Sequence, residues 1–83
     1  METILVDVWV PAVQQSFEVK MPHDMNTQVA AVLAGKAIAP LTGGAFAASK
    51  SNRLASRKTG ALLNPEMTLR QAKVINGSCM LLI

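Results

Sequence analysis

The chain has 83 residues, too few for more than one domain, and a chain of this size buries only about 60–65% of its unfolded surface on folding. Hydrophobic residues make up 51% of it and just three are aromatic, Trp9, Phe17 and Phe46, so Val, Leu, Ile, Met and Ala must fill a small core, a composition that excludes a disordered chain. The net charge of +3 hides an asymmetry: residues 1–49 carry two bases and four acids, residues 50–83 six bases and one acid, which makes the second half the candidate electrostatic surface.

Residues 3–10 are rich in β-branched side chains and alternate cleanly, with Ile4, Val6, Val8 and Val10 on a core face and Leu5, Asp7 and Trp9 on the other. Pro11 ends this strand, residues 12–15 make a short loop, and residues 16–21 alternate again with Phe17, Val19 and Met21 inward, which predicts a β-hairpin. A loop of those four residues sets Asp7 opposite Lys20, Trp9 opposite Glu18, Val8 opposite Val19 and Val10 opposite Phe17. Pro22 closes the second strand. Asp24 or Asn26 then caps a helix predicted over residues 27–39, with Met25 placed to staple onto Ala30 and Pro40 as the stop. Val29, Val32, Leu33 and Ala37 share one helical face, which is expected to cover the hairpin.

Residues 41–52 read as a mobile connector rich in Gly, Ala and Ser, pinned by Phe46. Residues 53–57 predict a strand with Leu54 inward, Lys58-Thr59-Gly60 a tight turn, and residues 61–63 a short strand before the Asn64-Pro65 turn. Thr68 caps a brief helical turn that points Leu69 and Ala72 inward, Val74 closes it, and Asn76-Gly77 reverses the chain. Residues 79–83 form one apolar strand, which must be covered on both faces and is therefore placed centrally beside residues 3–10. The order of elements predicts an α+β fold of the β-grasp type: a single domain over residues 1–83, with a mixed sheet of four to five strands and one main helix across it.

The candidate chemistry is sparse. His23 and Asp24 adjoin in a turn with no second His or Cys to complete a ligand set. Lys58-Thr59-Gly60 has no Ser followed three residues later by Lys to accompany it, Gly43-Gly44 and Gly35-Lys36 lack the spacing of a phosphate loop, and the glycine of Asn76-Gly77-Ser78 serves a turn. No catalytic residue, cofactor or metal is expected. The lone Cys79 forms no internal disulfide and reads as a structural cysteine; with no secretory leader at the start of the chain, a cytosolic setting is expected. The longest uncharged run, residues 37–49, is broken by Pro40 and Gly43-Gly44, so no membrane insertion is expected. Lys50, Arg53, Arg57, Lys58, Arg70 and Lys73 lack the aromatic interleaving of a nucleic-acid surface, and an acidic protein partner or plain solvation is favoured. The positive signal is the outer sheet face. Leu5, Trp9, Ala55, Leu81 and Ile83 form an apolar centre there with Arg53 and Arg57 at its rim, the make-up of a protein-binding surface.

Leu54, Gly60 with Leu63, Thr68-Leu69, Ala72, Val74, Asn76-Gly77 and the alternation of Met80 and Leu82 resemble the ubiquitin-like superfold. Within it, the ending T-L-x-x-A-x-V-x-N-G-S is similar to the YukD-like proteins of bacterial type VII secretion and to the ubiquitin-like domain of the membrane component EccD. The resemblance implies a cytosolic docking module that binds a protein partner, such as a membrane ATPase or another secretion component; the alternative is that the outer face is closed by a homodimer or by the loop of residues 41–52. It also carries the role of the family's recognition face onto Ala55, Leu81 and Ile83. The sequence closes on Leu82-Ile83 without the Gly-Gly that an activating enzyme adenylates, so conjugation is not expected. Two other readings stay open: a modifier or sulfur carrier whose tail is missing from this chain, and a nucleic-acid-binding domain acting through the basic half.

Overall fold

The computed structural model describes residues 2–83. Its elements run β1 (Thr3–Val10), β2 (Gln15–Pro22), α1 (Thr27–Ile38), a 3-10 helix (Ala39–Thr42), β3 (Leu54–Ser56) and β4 (Cys79–Leu82). The sheet has four strands in the order β2-β1-β4-β3, with β4 parallel to β1 and antiparallel to β3. The last strand is therefore central and the β-grasp topology read from the sequence is the one observed, but only one face of β4 is covered: Met80 and Leu82 are buried, whereas Cys79 and Ile83 are exposed and Leu81 is half-buried, which corrects the expectation of cover on both faces.

The alternation of β1 and β2 holds: Ile4, Val6, Val8, Val10, Val19 and Met21 are buried, and Phe17 packs against them. The register differs from expectation. The loop is residues 11–14, closed by hydrogen bonds from Val13 N to Val10 O (3.1 Å) and from Gln14 N to Pro11 O (3.3 Å). Gln14 takes a left-handed conformation, φ 52°, which completes the reversal early enough for Gln15 to pair with Val10. Every cross-strand pair slides by two residues, which preserves the faces but changes the neighbours. Leu5 meets Lys20, Asp7 meets Glu18, Val8 meets Phe17 and Trp9 meets Ser16.

Asn26 is the helix cap, its Oδ1 accepting from the N–H groups of Gln28 (2.8 Å) and Val29 (3.2 Å). The helix lies on the sheet by the opposite stripe to the one bulk suggests. Ala30, Ala31, Ala34, Gly35 and Ile38 are buried, whereas Val29 and Leu33 are 55% and 38% exposed and Ala37 faces outward. The sheet supplies the reason, because Ile4, Val6, Val8, Val10, Leu54 and Leu82 already fill its inner face. Only a helix face of small residues can approach that layer at ordinary packing density. Gly35 faces the connector rather than the sheet: a Cβ there would stand 2.7 Å from the side-chain oxygen of Asn52.

Pro40 sits in the first turn of the 3-10 helix that follows α1, and Gly43 ends it with φ 63°. The connector beyond is anchored as expected by Phe46, which is buried in the core and donates its N–H to Thr42 Oγ1 (3.0 Å). It ends at a buried Asn52 whose Oδ1 accepts from Ser49 N (2.8 Å).

The expected strand at 53–57 is shorter, although Arg53 and Ile83 extend its ladder by exchanging backbone hydrogen bonds of 2.7 and 3.0 Å. The short strand expected at 61–63 reduces to one bridge, Leu62 to Ala55. At Thr68 the turn is closed by a reciprocal cap: Thr68 Oγ1 accepts from Gln71 N (3.1 Å) and Gln71 Oε1 accepts from Thr68 N (2.9 Å). Leu69 and Val74 enter the core from it. Backbone bonds from Thr27 to Met67, Leu69 to Met25 and Arg70 to His23, of 2.8–2.9 Å, stitch this turn to the entry of α1.

Candidate protein-binding face

Residues paired across neighbouring strands share a sheet face. Trp9 pairs with Leu81, Leu81 with Ala55, and Ala55 with Leu62, so one row of four crosses the outer surface from β1 to the segment beyond β3. The row below it runs Glu18, Asp7, Cys79. Ile83 lies beside the apolar row and is 53% exposed, whereas Leu5, 42% exposed and paired with Lys20, lies beyond the row of Asp7.

The seven residues singled out from the sequence do lie on this face, but they are not equivalent. Ala55 is fully buried between Leu81 and Leu62 and offers no surface, which corrects its reading as a contact residue. Leu62 takes its place, 49% exposed at the end of the row. It escaped the sequence reading because Leu62 was read as part of a short strand with no neighbour assigned. Trp9 and Leu81 are half-buried. The Arg57 guanidinium stacks over Trp9, 4.8 Å from the ring centroid, an arrangement worth about 0.5–1 kcal/mol at a solvent-facing site. Arg53 is half-buried, and its guanidinium donates to Leu63 O (3.4 Å).

The true register exposes a feature hidden by the expected one. Asp7 and Glu18 stand directly opposite each other, an arrangement that destabilises a sheet by itself, and neither enters a salt bridge among the described residues. They border a hollow of about 590 Å³ lined also by Leu5, Ser16, Asn76 and Gly77. Cys79 is exposed, with its Sγ 3.9 Å from Asp7 Oδ2, so the structural role expected for it is replaced by a place on this surface. The face thus has an apolar row with an arginine margin toward β3, and beside that row the acidic pair Asp7 and Glu18, beyond which Leu5 and Lys20 follow.

His23 has a structural role. It is buried, its Nε2–H donates to Val74 O (2.6 Å), and Nδ1 lies 3.4 Å from Glu2 Oε1. Beside it Arg70 donates from Nε to Asp24 Oδ1 (2.7 Å) and from Nη2 to Glu2 Oε1 (2.9 Å). The Arg70 hydrogen bonds hold both carboxyls below the ordinary carboxylate range and raise Arg70 itself. Carboxyls lowered by folding stabilise the fold above their unfolded values, and this contribution disappears as pH falls through the lowered ones. Because all three groups face solvent the effect is small. An Arg70→Met variant is therefore expected to melt slightly below the parent at pH 7, with the gap closing as pH falls below about 4; thermal scans across that range check it. Among the described residues no three His, Cys, Asp or Glu side chains gather to hold a metal ion, and no helix is long and apolar enough to cross a membrane.

No protein-family model matches the sequence, and no curated protein matches it either. Solved structures do share the fold. The EccD5 ubiquitin-like domain from Mycobacterium xenopi is similar at a TM-score of 0.72 and 14% identity, over 100% of this chain and 94% of that one. The ubiquitin-like domain of the Mycobacterium tuberculosis type VII secretion system protein ECCD1 gives a TM-score of 0.66 at 13% identity, over 100% and 99%. The corresponding domain of Plasmodium falciparum Dsk2 gives 0.72 at 17%, over 98% and 96%.

Proposed function

The chain has the ubiquitin-like fold, and we propose that it is a non-enzymatic module that binds a protein partner through the outer sheet face. The observation that carries this reading is the row Trp9, Leu81 and Leu62, flanked by Ile83 and bounded by charges of both signs. An apolar centre inside a charged rim excludes water where contact is made and fixes orientation at the edge. Asp7 and Glu18 oppose each other at a cost within the monomer, which a basic group on a partner would offset.

On this reading the module works in the cytosol as an accessory component of a bacterial type VII secretion system, docking on a membrane ATPase or another component of that machine without being conjugated to it. The similarity to two EccD ubiquitin-like domains over the whole chain supports the assignment, together with the YukD-like ending at residues 68–78. Capture from the source cells tests it. Partners held by the parent should be lost with Leu81→Asp or Arg57→Glu, while circular dichroism shows both variants folded. Retention of every partner by both variants overturns the surface, and an intact mass with a target attached overturns non-covalent docking.

A further inference from the structure

The helix carries a second surface, on the side of the molecule opposite the outer sheet face. Val29, Val32, Leu33 and Lys36 follow the i, i+3, i+4, i+7 spacing of a single helical stripe and line, with Gln28, a hollow of about 300 Å³. Among the described residues nothing covers Val29 or Leu33, and Val32 is half-buried. Val29 and Leu33 are the exposed bulky residues of a helix whose core face, between Thr27 and Ile38 at its ends, is made of alanine and glycine. Valine is a poor choice for a solvent-facing helix position on propensity alone. A second hollow of about 140 Å³ adjoins it, where Val32 and Lys36 meet Ala48, Ser49 and Lys50. Lys50 is held at this place because Gln28 Nε2 donates to the backbone oxygens of Lys50 (3.5 Å) and Asn52 (3.1 Å).

The charges choose the occupant. The helix bears no acid in residues 27–38, and the acid just before it, Asp24, is taken by Arg70. Lys36 and Lys50 thus converge on one apolar wall without a carboxylate between them. A second copy packed face to face would bring four lysines together. A stripe of two helical turns, about 10 Å long, suits one partner helix better than a lipid surface. We propose that this stripe docks a short amphipathic acidic helix from a partner protein, with aliphatic residues at i, i+3, i+4 and i+7 seated on Val29, Val32 and Leu33 and carboxylates placed between Lys36 and Lys50. The proposal is independent of the sheet face and makes the domain a two-sided adaptor.

Amide chemical shifts of the full chain test it, with a capped synthetic peptide of two repeats of Leu-Glu-Glu-Leu-Leu-Glu-Glu as probe and the same peptide with Lys for Glu as control. The acidic peptide should shift amides of residues 28–36 and 49–50, and the basic one should not. Leu33→Glu, at an exposed position, should weaken binding about tenfold or more. The double variant Lys36→Glu with Lys50→Glu should reverse the preference toward the basic peptide. Equal binding of both peptides, shifts confined to Leu5, Trp9 and Ile83, self-association through the helix, anionic vesicle binding without peptide binding, or no shift at millimolar peptide each overturns it.

Discussion

Leu82→Ala is expected to cost about 2–5 kcal/mol, a large part of the roughly 4–12 kcal/mol available to a chain of this length. Leu82 lies on the central strand, pairs with Leu54 on β3 and is 1% exposed within the core that β1, β4 and α1 enclose. Truncation removes apolar burial and leaves a void bordered by two strands fixed in a ladder, so the site has little freedom to collapse. The melting temperature should fall by about 10 °C or more. The next residue back supplies the control. Leu81 points to the other face and is half-buried, so Leu81→Ala should cost about 1 kcal/mol or less while weakening partner capture. Urea titrations of both variants decide the matter: equal losses would mean that β4 does not divide its side chains between a core and a surface.

That division was legible in the sequence, and its details show where the legibility stopped. Alternation along residues 3–10 assigned faces correctly, because a strand's period leaves two choices and Ile4, Val6, Val8 and Val10 occupy one of them, and in residues 79–83 the same period put Met80 and Leu82 opposite Leu81 and Ile83. The central place of β4 followed from hydrophobicity on both faces. Register did not follow, since it depends on Gln14 adopting a left-handed conformation that a glycine or asparagine would have advertised and a glutamine does not. The opposition of Asp7 and Glu18 was lost with it, and so was the acidic pair beside the apolar row. Ala55 was placed on the proper face, but its burial depends on Leu62 lying alongside, a contact formed across a loop that periodicity does not describe. The buried His23 is a similar case: its partner Val74 is distant in sequence and meets it only through the stitching of residues 67–70 to the entry of the helix.

Ala34→Leu is expected to destabilise by about 1–3 kcal/mol or more, although leucine is nearly as good a helix former as alanine. Ala34 has no exposed surface and belongs to the small-residue face that α1 turns toward the sheet. A leucine there must push the helix away from strands whose inner side chains already fill the space, or force those side chains out of their rotamers. Leu33→Ala, at the adjacent position, removes a larger side chain and should cost far less, since Leu33 is 38% exposed. Val29→Ala should be neutral or slightly stabilising, because it exchanges an exposed β-branched residue for the best helix former. Bulk read from the sequence alone gives the reverse order, with Leu33 and Val29 as the costly positions. Urea midpoints of the three variants separate the two: a Leu33→Ala loss exceeding that of Ala34→Leu would return the large residues to the core and leave no exposed stripe for a partner. The observed orientation instead requires a helix held to the fold by its small residues and Ile38, to which Val29 and Leu33 contribute little, so that Leu33→Ala keeps stability while weakening the acidic-peptide complex.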